Sequence, residues 1–484
     1  MKSDLPSGKS EQPNLIRGLH ALRIKAGLDR AVGTTVLFRA SQGLSTALLL
    51  FLVARTLSQV EQGFYFTLNS VAALQIFFEL GLTFVLMQFA SHEAARLTKS
   101  ADGTYAGNAD SHARLASLIR FGMAWYSVAS LLLLILILPL GIVYFAHFSA
   151  SAPVRLWMAP WLLLVGATAC TLVFNSVIAL FEGCGEVADV AQLRVRETLC
   201  GTAVAIVLLL AGAKLYAASA LVLCDALMQA WWLIGRRTAI LSLWRAYNPA
   251  ITVKWLSEIW PFQWKIAVSW LSGYFIFQIF TPVLFALSGP VQAGKMGLTL
   301  SACTGLSTLG MSWVYTKSPR MGAMISLGQR RQLDEVFFSS LKSALSVAAG
   351  LAIVFWCGIV ALQFRGVDLA NRFLEPVGLA LTLAATLAAC VTSAQAVYLR
   401  AHKQEPFLPV SILSAVINTV LAFTLASAYG SRGVAAGYAF TSIVVGLGLG
   451  SYVFIRHRTA YGASDRAAAD LPTPVRVPEV SLEA

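Results

Sequence analysis

Long runs of apolar residues, each broken by a short polar or basic gap, repeat along the whole chain. Residues 130–144 are typical: Leu-Leu-Leu-Leu-Ile-Leu-Ile-Leu falls inside them without one charge. A run of about 20 such residues wound as a helix crosses the hydrocarbon of a bilayer. The pattern predicts spans beginning near Thr34, Phe64, Leu115, Arg155, Val187 and Leu215 in the first half. In the second half they begin near Trp260, Pro290, Phe337, Arg372, Glu405 and Gly433. The expected fold class is an all-α membrane protein with about twelve transmembrane helices in two six-helix lobes.

The halves echo one another. Gly212, Lys214, Ala217 and Ala218 recur as Gly430, Arg432, Ala435 and Ala436, each 218 residues later and before the last helix of a half. Val60-Glu61-Gln62-Gly63 finds a looser echo in Val291-Gln292-Ala293-Gly294. Because six is even, the two copies share one orientation, and rocking of two lobes about an axis along the membrane normal is the natural motion. The expected divisions are an N-terminal tail (1–33), an N-lobe (34–238), a linker (239–259), a C-lobe (260–458) and a disordered C-terminal tail (459–484).

Composition agrees: 57% of the 484 residues are hydrophobic and 12% charged, with mean hydropathy +0.70. A soluble domain holds roughly 45–50% apolar residues. The net charge of +13 is explained by position. About 25 of the 36 Lys and Arg residues fall in the N-terminal tail and the even-numbered gaps, among them Arg236, Arg237, Arg400 and Lys403, against about seven in the odd gaps. The asymmetry puts both termini in the cytoplasm and leaves no excess that calls for nucleic acid. The seven cysteines are scattered singly, without metal or disulfide spacing. No secretory signal precedes the first span. No phosphate loop, cofactor motif or acid/base constellation appears, so an enzyme is disfavoured.

Charges inside the bilayer cost about 2.5–3.5 kcal/mol each and are the first candidates for function. Arg39 lies in the first helix with Gln42 and Thr46 on its face; Lys265 lies 226 residues later in the seventh helix with Ser269 and Ser272 on its own. As symmetric partners the two cations would hold a diphosphate. The competing reading has both snorkel to the interface. Glu79, with Gln75 and Thr83 one turn away on either side, and Asp225, with Gln229 one turn on, lie deep in the second and sixth helices. Either carboxylate would bind a coupling H+ or Na+, or pair structurally. Uncharged stripes run through Thr168, Thr171 and Asn175, through Ser301, Thr304, Thr308 and Ser312, and through Ser411, Ser414 and Asn418. They read first as helix-packing residues, with Asn175 and Asn418, together with Gln42, Thr46, Gln75, Gln229, Ser269 and Ser272, as candidate cavity lining, and Gly433-x-x-x-Gly437 as a packing motif. Trp157 and Trp161, like Trp231, Trp232, Trp255, Trp260 and Trp264, read as interfacial anchors. His92, Glu93 and His112 fall in a solvated gap, so no metal site is expected.

Three stretches carry a resemblance: Val53-Ala54-Arg55-Thr56-Leu57 followed by Glu61-Gln62-Gly63-Phe64-Tyr65; Glu79-Leu80-Gly81-Leu82; and Leu180-Phe181-Glu182-Gly183 through Glu186 to Arg194. Each resembles segments of the Wzx-type polysaccharide flippases, in the larger group that includes MATE drug exporters and lipid II flippases. The resemblance implies a V-shaped bundle in the inner membrane that moves an undecaprenyl-diphosphate-linked oligosaccharide, destined for O-antigen, capsule or exopolysaccharide, from the cytoplasmic to the periplasmic leaflet. It also implies work beside a polysaccharide polymerase and chain-length regulator, and a basic central cleft that maps to Arg39 and Lys265. The alternatives are a cation-coupled multidrug exporter of the same fold, for which an acidic cleft is expected, and a membrane polymerase or glycosyltransferase of the same pathway.

Overall fold

The structure, a computed structural model, describes residues 30–100, 104–148, 152–246, 254–326, 328–402 and 405–469. Residues 1–29 and 470–484 of the expected tails, 247–253 of the expected linker, and Lys403 lie outside the described residues. The helices are α1 (Arg30–Thr56), α2 (Gln59–Ala72), α3 (Leu82–Ala94), α4 (Ala109–Phe148), α5 (Val154–Gly183), α6 (Val187–Leu210), α7 (Tyr216–Gly235) and α8 (Arg237–Arg245). There follow α9 (Trp255–Phe277), α10 (Phe280–Ser288), α11 (Pro290–Ser326), α12 (Arg330–Phe364), α13 (Pro376–Ala401), α14 (Leu408–Phe440), a π-helical segment (Thr441–Leu449) and α15 (Gly450–Ala469). One small hairpin, β1 (Leu97–Lys99) with β2 (Tyr105–Gly107), is antiparallel.

Among the described residues seven helices are long and apolar enough to cross a membrane, and nine if each bent pair is one span. The bent pairs are Gln59–Glu79 with Leu82–Ala94, and Gln263–Phe277 with Phe280–Ser288. The more polar α6 and α11 are also long enough to cross. The run Leu408–Tyr461 is two passes, because Gly430 is non-helical (φ 57°, ψ −142°). A Cβ on Gly437 would lie 3.1 Å from Leu421 Cβ, whereas sixteen residues of straight helix would separate them by about 24 Å. The chain therefore folds back at Gly430, and the described residues hold twelve helical passes when α6 and α11 are counted by length. The apolar side chains Val128, Leu131, Ile135, Leu136, Leu140 and Val143 of α4 are each more than half exposed, as a lipid-facing surface requires. The chain is a multi-pass membrane protein.

The described residues form two compact units whose limits differ from the expected lobes. One holds residues up to Leu52, Gly81–Val143 and Pro153–Gln263; the other holds Val53–Leu80, Tyr144–Ala152 and everything from Trp264 on. The first part of the second span thus groups with the C-terminal helices. The expected linker is partly helical, ending α8 and opening α9, and α15 continues past Arg458 to Ala469 where a disordered tail was expected.

In the first unit α5 packs on α3 and α7. Trp157 and Trp161 correct the expectation of interfacial anchors, since both are wholly buried. Gly141 makes the room: a Cβ there would overlap the Trp161 ring, whose Nε1 donates to the Leu138 carbonyl at 3.0 Å. Gly183 likewise lets α5 meet the Met87 carbonyl of α3. Just beyond, Glu186 accepts hydrogen bonds from Lys99 Nζ (2.8 Å), Tyr105 Oη (3.0 Å) and Arg236 Nε (2.7 Å). Burial opposes its charge, but the two cations prevail and hold the carboxyl below the usual carboxylate range.

In the second unit Ser58 and Glu61 form a capping box that starts α2. Here α2 crosses α11 at closest approach: a Cβ on Gly63 would overlap the Pro290 carbonyl, and one on Gly294 would lie 2.8 Å from the Gly63 nitrogen. Gln62 Nε2 seals the crossing by donating to the carbonyls of Gly294 (2.9 Å) and Arg372 (3.2 Å). Small residues at such crossings let helices associate in lipid, where no hydrophobic force draws them together. Gly63→Ala is therefore expected to cost about 1–3 kcal/mol through overpacking, read as a lowered thermal midpoint in detergent. Gly166→Ala, whose Cβ would meet nothing within 4 Å, should leave the midpoint unchanged or slightly raised. Equal midpoints for the two variants would contradict the crossing as described.

Candidate functional site

Two adjoining cavities lie within the second unit. The larger, about 530 Å³, is walled by α2 (Phe66, Asn69, Ser70), by α11 from Gly297 to Tyr315, and by Thr386, Cys390 and Ser393 of α13. The smaller, about 280 Å³, is walled by α9 (Ser269, Gly273, Ile276), the end of α13, the start of α14 and the π-helical segment. Phe277, Tyr315, Ala389, Ser393 and Tyr438 line both. Among the described lining residues one is charged, Arg400.

Several threonines of these walls, Thr304, Thr308, Thr386, Thr392 and Thr441, donate their protons to their own helices, whereas Ser269 and Ser70 reach across to Glu405 and Gln278. Thr304 donates to the Leu300 carbonyl at 2.9 Å, Thr308 to Thr304 at 2.8 Å, and Thr386 to Thr382 at 2.8 Å. Such back-bonding leaves the oxygen lone pairs as acceptors. Asn418 adds another: its Oδ1 is buried with no hydrogen-bond partner among the described residues. Its Nδ2 donates to the carbonyls of Phe275 (3.0 Å) and Ile276 (3.1 Å), at the 41° bend between α9 and α10. A broken membrane helix leaves carbonyls bare, and a neighbouring side chain must satisfy them. The π-helical turn contributes Thr441, Ser442 and Gly446 to the smaller cavity. Such turns recur at functional sites.

The sequence-predicted residues divide between the units. Ser269 and Asn418 line the smaller cavity, while Ser272 is buried and donates to the Val268 carbonyl at 2.8 Å. Lys265 is exposed one turn before Ser269, its Nζ 5.9 Å from the centre of the Trp264 ring. The stripe of Ser301, Thr304 and Thr308 lines the larger cavity, and Ser411, Ser414 and Asn418 line the smaller, so these stripes do more than pack helices. In the first unit Arg39 and Gln42 are exposed on α1 and Thr46 donates to the Gln42 carbonyl at 2.8 Å. Gln75 and Glu79 are half-buried just before a break: Leu80 (φ 53°) and Gly81 (φ 66°) are both left-handed, so no continuous helix face joins Glu79 to Thr83.

Asp225 belongs to a cluster. Gln229 Nε2 donates to Asn175 Oδ1 at 3.4 Å, linking α7 to α5. From α6, Glu197 lies beside Gln229 and within electrostatic reach of Asp225 and Arg194. Glu197 was missed in the sequence although it obeys the rule that singled out Asp225: a carboxylate midway along a span. Arg400, Tyr315 and Tyr438 were missed too, and only Arg400 left a signal, as a cation at a helix end.

No protein-family model and no curated protein matches the chain. Solved structures do. The inward-facing conformation of a multidrug resistance MATE family transporter of the MOP superfamily aligns with TM-score 0.62 and 15% identity over 89% of this chain and 99% of that one. A MATE transporter in the straight conformation gives 0.52 and 16% over 90% and 96%. The lipid II flippase MurJ, in an inward closed conformation, gives 0.53 and 12% over 88% and 94%. At such identities the likeness is one of fold: this chain has the fold of MOP-superfamily transporters.

Asn418 supports that fold as well as lining a cavity. Asn418→Ala bares two carbonyls, and a stability loss of about 1–3 kcal/mol is expected, measured by thermal unfolding in detergent. An unchanged midpoint would show that the bend is satisfied elsewhere.

Proposed function

We propose that the protein is a flippase that carries an undecaprenyl-diphosphate-linked oligosaccharide from the cytoplasmic to the periplasmic leaflet of a bacterial inner membrane. The observation that carries this reading is the acceptor-lined pair of cavities with Arg400 as their one described charge. Sugar hydroxyls are hydrogen-bond donors as well as acceptors, and their ring faces pack on aromatic side chains such as Phe277, Tyr315 and Tyr438. An organic cation would find no carboxylate among the described lining residues of either cavity, which favours the sugar over the multidrug reading. The fold neighbours include a lipid II flippase beside the MATE transporters, and both kinds of cargo are compatible with the architecture.

In this reading Arg39 and Lys265 are the diphosphate-binding cations, each described within its own unit, and the cluster of Asp225, Glu197 and Arg194 binds the H+ or Na+ that drives the cycle. Gln42, Thr46 and Gln75 line the path and Glu79 shapes the helix break.

Flipping of the lipid-linked oligosaccharide in proteoliposomes, scored by access of an added lectin to the sugar, tests this. Wild type should translocate it, Arg39→Ala and Lys265→Ala should each slow it about tenfold, and Asp225→Asn should remove the response to an imposed proton or sodium gradient. Full activity in the double cation variant would end the clamp. An unaltered gradient response in Asp225→Asn would end the coupling role. Translocation of an organic cation dye in place of the oligosaccharide would end the flippase reading itself.

A further inference from the structure

Arg400, at the end of α13, is the one charged side chain among the described residues that line the two cavities. Its Nε and Nη2 donate to a single oxygen of Glu405, Oε1, at 3.1 and 2.8 Å. Ser269, from the α9 wall of the same cavity, approaches that oxygen at 3.5 Å. An arginine fork is shaped for two parallel bonds to two oxygens of one anion. Here it is spent on one oxygen. The pair is also wet, with the Arg400 side chain 54% exposed and the Glu405 side chain 28% exposed. Ion pairs of this exposure contribute little to folding, so an anion of higher charge displaces such a carboxylate readily.

The geometry points to Arg400 as a phosphate-binding group and to Glu405 as its resident competitor. This rests on the reading of the cavities as the site of a lipid-linked sugar, and adds Arg400 to the cations that engage its phosphate and Glu405 as the group that phosphate must displace. In the empty state Glu405 occupies the guanidinium. An arriving phosphate or diphosphate ester offers several acceptor oxygens, takes the fork and releases Glu405. Lys265, one turn before Ser269 on α9, lies on the helix face that reaches this end of the cavity. The competition sets a threshold: a neutral or monoanionic headgroup does not displace Glu405, whereas a diphosphate does.

Calorimetric titration of the purified full chain in detergent with farnesyl diphosphate, and with farnesol as its uncharged control, tests this. Glu405→Gln should tighten farnesyl diphosphate binding by about fivefold. Arg400→Gln should weaken it by about tenfold, with Arg400→Lys in between. The double variant Arg400→Gln/Glu405→Gln should match Arg400→Gln alone, because Glu405 acts through the guanidinium. Farnesol should bind all forms alike. Unchanged or weaker binding in Glu405→Gln would overturn the proposal, as would tightening by Glu405→Gln that persists without Arg400. Inorganic diphosphate that follows the same ranking identifies the free anion as the recognised group, and a ranking confined to the prenyl ester identifies a lipid headgroup; both uphold the competition. A disaccharide titration keeps the two ideas apart. Failure of the cavity to bind sugar, with this ranking intact, removes the sugar reading and leaves the anion site. Sugar binding without the ranking removes the anion site alone.

Discussion

The close approach of α2 to α11 at Gly63, Pro290 and Gly294 is the contact on which the second unit depends. In lipid, two helices gain from association what van der Waals contact and hydrogen bonds supply. Side chains at this crossing would force the helices apart; glycines let backbone meet backbone, and Gln62 bonds across it. Farther along the same two helices the side chains grow, and the space between them opens into the larger cavity, with Phe66 and Asn69 on one wall and Ser301 to Thr308 on the other. The two echoing segments of the sequence, Val60 to Gly63 and Val291 to Gly294, thus meet in space.

Each unit also ties down a helix end by the same device. In the first, Arg236 at the end of α7 grips Glu186, which also accepts from Tyr105. In the second, Arg458 of α15 grips Asp334 at 2.7 Å, which also accepts from Tyr398 at 2.9 Å. The arginines are 222 residues apart, close to the repeat offset, while the carboxylates come from different places in the two halves. A carboxylate with two charge-assisted partners is strong enough to fix a helix end, and leaves the helix interior free to carry function.

Much of the fold was legible because bilayer thickness dictates the length of an apolar run. The predicted starts at Val187 and Pro290 coincide with those of α6 and α11. The hairpin at Gly430 was legible from its repeat. The breaks were not: nothing in a leucine foretells the left-handed conformation of Leu80. Asp225 stood out as a carboxylate in an apolar run, whereas Glu197 shares α6 with Asp189, Arg194 and Arg196 and was lost among them. The cavities were hardest, since a serine that packs a helix and one that lines a hollow have the same composition and spacing. The buried pair Trp157 and Trp161 was misread for a related reason: a tryptophan near a span end is an anchor unless a glycine such as Gly141 opens a slot for it.

In the proposed reading, a membrane cavity whose described walls offer back-bonded threonines, aromatic rings and one arginine suits a cargo rich in hydrogen-bond donors and carrying its own negative charge. Such walls discriminate by what they lack as much as by what they offer, since a cation entering them leaves its counter-charge behind. The most direct measurement is native mass spectrometry of the protein extracted gently from a membrane that contains both lipid-linked oligosaccharides and an added organic cation. Co-purification of a prenyl-diphosphate oligosaccharide, lost on hydrolysis of its sugar, is the predicted result. A spectrum dominated by the organic cation, with no glycolipid bound, would contradict the account.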